Sequence, residues 1–268
     1  VIPFGVMSSL ELSVQSALTT KLIGRPFYYH PVVGSTMDEA RRLAQAGVPE
    51  GTVVLADEQI AGRGRLQRRW WAPAGSSLLL SLVLHPLLEP RHAQRLTMIC
   101  SLAVCDAIAQ VSGLRAMVKW PNDVLLGGRK VCGILTELDL AGDKLRYAIV
   151  GIGINVNVDF ATAPPLMSPA TSLSMETGRS ISRLDLLVAL LSEVEKRYLA
   201  LRDGRSWHQE WADRMATLGQ HVRVFDGSEQ WHGLAVGVDE DGALLLRLED
   251  GSTRRVLAGD VTLRSPGH

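Results

Sequence analysis

Ala61-Gly62-Arg63-Gly64-Arg65-Leu66-Gln67-Arg68-Arg69-Trp70 sets two glycines and four arginines within eight residues, with an indole directly after them. Glycine lacks a Cβ, so the backbone here can turn sharply and bring N–H groups close to anionic oxygens. Arginine adds a planar fork that grips phosphate or carboxylate through paired, charge-assisted hydrogen bonds. Trp70 offers a flat apolar face to a base. Phosphates plus a base point to a nucleotide. The same residues also suit an Arg-rich surface loop, or one that grips nucleic acid, and the loop alone does not separate these readings.

Working outward, Thr52-Val53-Val54-Leu55-Ala56 is a buried-strand run that feeds the loop through Asp57-Glu58-Gln59, and Ser76–Leu84 is a second strand after the Pro73/Gly75 turn signal. Upstream, Glu39 stands three residues after Thr36, a capping-box spacing that predicts a helix over Met37–Ala44. Residues 10–22 read as a short amphipathic helix before an extended Phe27–His30. Apolar spacing predicts helices over 91–111 and 184–201. Ala116–Trp120 is a short strand cut by Pro121-Asn122-Asp123, and 131–138 with 145–156 form a strand pair. Past Leu218 the texture changes to short apolar runs (221–225, 231–238, 243–248, 253–257) separated by Asp226-Gly227, Asp241-Gly242 and Asp250-Gly251. Such punctuation marks hairpins and fits a small β-barrel. The expected division is an N-terminal extension over 1–26, a main domain over 27–217 and a terminal barrel over 218–268.

Basic and acidic residues balance at 28 each, so no global field draws the chain to nucleic acid or membrane. Only five of the basic residues are lysines: Lys21, Lys119, Lys130, Lys144 and Lys196. Cys100, Cys105 and Cys132 form no CxxC pair and leave an odd count, which suits a reducing compartment. No apolar run approaches the ~18 residues of a membrane span, and a cytoplasmic protein is expected. Val1–Val6 precede Met7 and stay outside the fold argument.

Neither usual nucleotide loop is present. A third glycine would fall at Gln67 or at Val156, and no G-x-x-x-x-G-K-[ST] occurs. Three other clusters carry chemistry. Lys119-Trp120-Pro121-Asn122-Asp123 joins a cation, an amide and a carboxylate. Lys119 suits phosphate charge and Asp123 suits Mg²⁺, though the same residues suit an ordinary turn. Lys130 opens a strand after Gly127-Gly128 within a run that continues through Gly133-Ile134-Leu135, and it reads either as a cleft cation or as an edge lysine. Gly151-Ile152-Gly153-Ile154-Asn155 places glycines inside a strand, where a ligand or another backbone can approach.

These motifs occur in the order seen in biotin–protein ligases, and the resemblance covers roughly residues 28–265. It implies an α+β fold: a mixed, largely antiparallel sheet flanked by helices, as in class II aminoacyl-tRNA synthetases, followed by an SH3-like β-barrel. It implies two reactions on one site. Biotin carboxylate attacks the α-phosphorus of ATP to give biotinyl-5′-AMP, and a lysine of a biotin carboxyl carrier domain then displaces AMP. By resemblance, Ser35, Thr36 and Gln59 would hold the ureido end of biotin, with Gly133 alongside. Arg63, Gly64 and Arg65 would close over carboxylate and phosphate, and Lys130 would sit at their junction. ATP would meet Arg65, Arg68, Trp70 as an adenine stack, Lys119, Asn122, Asp123 with Mg²⁺, and Asn155.

Two positions depart from the family pattern: Gln67, where glycine is usual, and Met37, where asparagine is frequent. About 25 residues precede the region of resemblance, which implies the ligase-only form without a DNA-binding winged helix. No DNA or membrane partner is expected, and a homodimer stays open. Lipoate–protein ligases share the fold but show a glycine-rich motif ending in His-Asp, which is absent here. A nucleic-acid-binding regulator is disfavoured by the zero net charge.

Overall fold

Hydrophobic alternation over residues 27–155 resolves into one mixed sheet of seven strands in the computed structural model, which describes residues 9–166, 168–225, 229–257 and 259–263. The strands are β1 (Phe27–Val33), β2 (Val53–Gln59), β3 (Ser77–Leu84), β4 (Met117–Lys119), β5 (Asp123–Leu126), β6 (Arg129–Ala141) and β7 (Lys144–Asn155), in the order β1-β2-β3-β7-β6-β5-β4. Among these described strands only β1 and β2 pair in parallel. A parallel pair needs a crossover, and a helix between them supplies it.

The described helices are α1 (Ser9–Ala17), α2 (Thr36–Gln45), α3 (Gln94–Ser112), α4 (Leu173–Thr177), α5 (Arg183–Arg202) and α6 (His208–Asp213). Strand alternation divides β7 between two layers. Ala148, Val150, Ile152 and Ile154 face the large core built with α3 and α5, while Ile149 packs with Met37, Ala40 and Leu43 of α2. That second face has a helix over it, and the strip Gly151, Gly153 and Gly133 starts beneath Met37 of that helix and runs on past it. The site is built on this strip.

Several expectations need correction. Ser35, not Thr36, caps α2, its hydroxyl accepting from the Met37 N–H at 3.3 Å. The Thr36–Glu39 spacing therefore forms no capping box, and Glu39 pairs with Arg42 instead. The helix expected over 10–22 stops at Ala17, because the N–H groups of Lys21, Leu22 and Ile23 turn onto the Glu195 carboxylate. Pro90–Ser112 is long and apolar enough to cross a membrane, contrary to the expectation that no run comes near it. Its few charges are spread through the sequence, and 67% of the apolar window is buried as the core helix.

The last strands form a five-stranded antiparallel sheet: β8 (His221–Phe225), β9 (Gln230–Val238), β10 (Leu244–Arg247), β11 (Thr253–Val256) and β12 (Asp260–Leu263), in the order β11-β10-β9-β8-β12. The strand β12 was not anticipated. The expected turn at Asp226-Gly227 lies outside the described residues, as do Val1–Val6.

Candidate active site

The start of α2 fixes one end of the site. Thr36 is buried, and both its N–H (2.7 Å) and its hydroxyl (3.1 Å) donate to the Gln59 Oε1. The Ser81 hydroxyl donates to Thr36 Oγ1 at 2.9 Å. Ser81 stands opposite Gly151 across β3–β7, and a Cβ on Gly151 would come within 2.8 Å of the Met37 sulfur. Hydroxyls and an amide thus gather beside a glycine that admits close packing. Ser35, Thr36 and Gln59 lie together here; Ser81 was missed, and Met37, singled out in the sequence only as a departure from the family pattern, packs on Gly151.

The other end is built at β5 and β6. Lys130 Nζ lies 2.6 Å from Asp123 Oδ1 and 5.6 Å from the Trp70 ring centre. The Lys130 backbone is clamped by the segment between β7 and α4, donating to Pro169 O and accepting from Thr171 N–H, both at 2.9 Å. Trp70 covers the paired glycines: a Cβ on Gly153 would meet its indole at 2.8 Å, and one on Gly133 at 3.0 Å. Asn122 is held between two elements, its Nδ2 donating to Ile134 O at 2.6 Å and its Oδ1 accepting from Arg65 Nη1 at 3.3 Å. Lys119 stands opposite Asp123 in the β4–β5 register. Lys130, Asp123, Trp70, Gly133, Asn122 and Arg65 therefore converge. Asp123, expected to hold Mg²⁺, is engaged by Lys130.

The arginine loop is a closed hairpin. Gly64 N–H donates to Arg68 O at 2.7 Å and Trp70 N–H to Gly62 O at 3.0 Å, while Leu66 at the tip takes φ +54°, rare for a branched side chain. Arg68 is exposed near that tip. Arg63 is not directed at the Lys130 cluster: it forks onto Asp38 at 2.6 and 2.8 Å and approaches Glu137 at 3.6 Å. Its hydrogen bonds hold the Asp38 carboxyl below the usual carboxylate range, and Asp38 in turn raises the guanidinium. The partners Asp38, Arg41 and Glu137 were missed. Strand parity is the signal that finds Glu137, since 133, 135 and 137 share one face.

Asn155 does not join the cluster. It is buried, its Nδ2 donates to Thr171 O at 3.1 Å, and its Oδ1 has no partner. Trp120 is likewise buried, its Nε1 donating to Gly242 O at 2.9 Å in the terminal sheet. Burial pushes the Cys100 and Cys105 thiols up to about 12 and raises Cys132 well above its ordinary value, which removes them as nucleophiles.

Residues 29–155 match the Biotin/lipoate A/B protein ligase family, and residues 217–264 match the Biotin protein ligase C terminal domain. The bifunctional ligase/repressor BirA of Bacillus subtilis is 36% identical over 259 residues, covering 94% of this chain and 78% of that protein. The biotin–[acetyl-CoA-carboxylase] ligase of Paracoccus denitrificans is 38% identical over 220 residues, 80% of this chain and 90% of its own. Among solved structures, the biotin protein ligase from Aquifex aeolicus in complex with biotin and ATP superimposes with a TM-score of 0.76 at 31% identity, covering 89% of this chain and 98% of that one. A polar pocket, a glycine strip and a paired lysine on one sheet face thus occur in a chain that belongs to the biotin protein ligase family.

Proposed function

We propose that this chain joins biotin to ATP and passes it to a carrier lysine along the glycine strip between the Thr36 pocket and Lys130. The observation that carries this reading is the placement of a polar pocket and a cation on one face. Gly151 and Gly153 lie two residues apart, about 7 Å along an extended strand. Thr36, Gln59 and Ser35 hold the ureido end of biotin at the Gly151 side. The carboxylate then points past the Trp70 indole, which covers Gly153 and Gly133, toward Lys130, and it attacks the α-phosphorus of ATP with pyrophosphate leaving. Two anions must meet for this step, and Lys130, Arg65 and Lys119 offset their repulsion. Trp70 offers a ring beside Lys130 for adenine. In the second step the carrier amine attacks the anhydride carbonyl, AMP leaves and the amine loses a proton.

Among the described residues no group of three or more His, Cys, Asp or Glu is placed to hold a metal. Asp123 is engaged by Lys130, so the described residues of this face offer no ready set of ligands for a resident ion. Magnesium enters as the counter-ion of the ATP phosphates and belongs to the substrate. The acceptor is a biotin carboxyl carrier domain, a reading supported by the relatives named biotin–[acetyl-CoA-carboxylase] ligase. The short strands and the register shift in β10 support an SH3-like closure of the terminal sheet. The test is biotin-dependent exchange of labelled pyrophosphate into ATP. Exchange that needs both biotin and magnesium supports the first step, and exchange indifferent to biotin contradicts it.

A further inference from the structure

Arg63, Asp38, Arg41 and Glu137 form a cluster of two cations and two anions. Asp38 accepts the two terminal nitrogens of Arg63 at 2.8 and 2.6 Å, and Glu137 faces its Nε at 3.6 Å. Arg41 closes the ring, bonded to Asp38 at 2.9 Å and also to Glu137. Every edge of the Arg63 fork is turned to a carboxylate, and the charges cancel locally. A substrate anion would have to displace Asp38 to reach it.

The anchored elements matter. Asp38 sits in the first turn of α2, two residues after Thr36, and Glu137 lies on β6 four residues after Gly133 and on the same face. The Arg63 side chain therefore ties the glycine loop to the elements that bear the two ends of the substrate strip. We propose that Arg63 is a positioning residue that pins the arginine loop over the site through Asp38 and Glu137, and that it is not a ligand of carboxylate or phosphate. This rests on the biotin-ligase reading of the Lys130 face. A loop so pinned restricts escape of biotin and its adenylate and adds nothing to the charge at the reacting phosphorus.

The test compares Arg63→Ala, Asp38→Ala and the double variant, with Asp38→Asn as a conservative control for folding. A shared anchor predicts that each single change raises the KM for biotin about tenfold, leaves kcat for adenylation within about threefold, and that the double is no worse than either. If Arg63→Ala lowers kcat about 100-fold while Asp38→Ala leaves KM unchanged, the arginine acts on the anion directly and the proposal falls. Trypsin cleavage of the unliganded chain after Arg65, Arg68 and Arg69 gives a readout independent of catalysis. Faster cleavage in Asp38→Ala and Asp38→Asn supports the anchor, and cleavage at the wild-type rate overturns it. A wild-type chain lacking biotin-dependent exchange would defeat the functional reading, while the cleavage rates would still decide the role of Arg63.

Discussion

Lys130 holds a charge at the one point where the polar pocket, the glycine strip and the Asn122-Asp123 turn converge. It was legible in the sequence because lysine is scarce here and because it follows a glycine turn. Its pairing with Asp123 was not, since two motifs seven residues apart meet only when β5 and β6 form a hairpin. Lys130→Ala should lower biotinyl-adenylate formation at least ~100-fold, the loss of about 3 kcal/mol of transition-state stabilisation. Pyrophosphate release near the wild-type rate would remove Lys130 from the chemistry. The partners of Arg63 were illegible for the same reason: Asp38 and Glu137 are ordinary surface carboxylates until α2 and β6 bring them together. Asp38 makes a second prediction. Its folded pKa is depressed by Arg63, so its contribution to stability is complete above the ordinary carboxylate value of about 4 and disappears as pH falls through the lower folded value. Asp38 is half exposed, so solvent limits the effect to about 1 kcal/mol. The stability gap between wild type and Asp38→Asn, from denaturant titration, should be constant between about pH 7 and 5 and close below about pH 4. A gap that widens in acid would contradict the pairing.

At the scale of elements, β7 shows why glycines recur inside a strand. Gly151 and Gly153 look equivalent in sequence, yet their neighbours differ. A Cβ on Gly153 would meet the rigid Trp70 indole at 2.8 Å, whereas a Cβ on Gly151 would meet the flexible Met37 thioether at the same distance. A ring with two torsions yields less readily than an unbranched side chain. Gly153→Ala should therefore cost about 1–3 kcal/mol of stability and displace Trp70, while Gly151→Ala costs less. Chemical denaturation with tryptophan fluorescence checks the order, and equal losses would mean that Trp70 does not rest on the strip. Hydrophobic alternation announced most of the long strands and helices. It missed the short β5, α4 and β12, where a capping serine (Ser172 for α4) or pairing with another strand outweighs local pattern, and the six-residue α6, which has no side-chain cap. The pentapeptide Lys119–Asp123 was read as one functional unit, but the structure divides it. Asn122 and Asp123 face the site, while Trp120 is buried toward the terminal sheet.

For the whole molecule, that division links the two sheets. The turn between β9 and β10 carries Asp241, which accepts from His92, from Arg95 at 3.0 Å and from Arg255 at 3.0 Å, and Gly242, whose carbonyl accepts from Trp120 at 2.9 Å. Gln94 of α3, which packs against Gly242, donates to Pro121 O at 2.9 Å. The terminal sheet thus braces the turn that carries Asn122 and Asp123. Trp120→Phe leaves the Gly242 carbonyl without its donor and removes ring volume, so stability should fall by about 2 kcal/mol. The KM for ATP should rise more than that for biotin, as steady-state assays would read, and equal changes would mean that the brace does not bear on the ATP side. The central claim is that this face both activates biotin and delivers it. Incubating the chain with radiolabelled biotin, magnesium-ATP and a biotin carboxyl carrier domain tests it most directly. The account predicts one label per carrier on its acceptor lysine, absent without ATP and absent from a carrier whose lysine is replaced by arginine. Labelled biotin that stays free, with the carrier unmodified while ATP is intact, would contradict it.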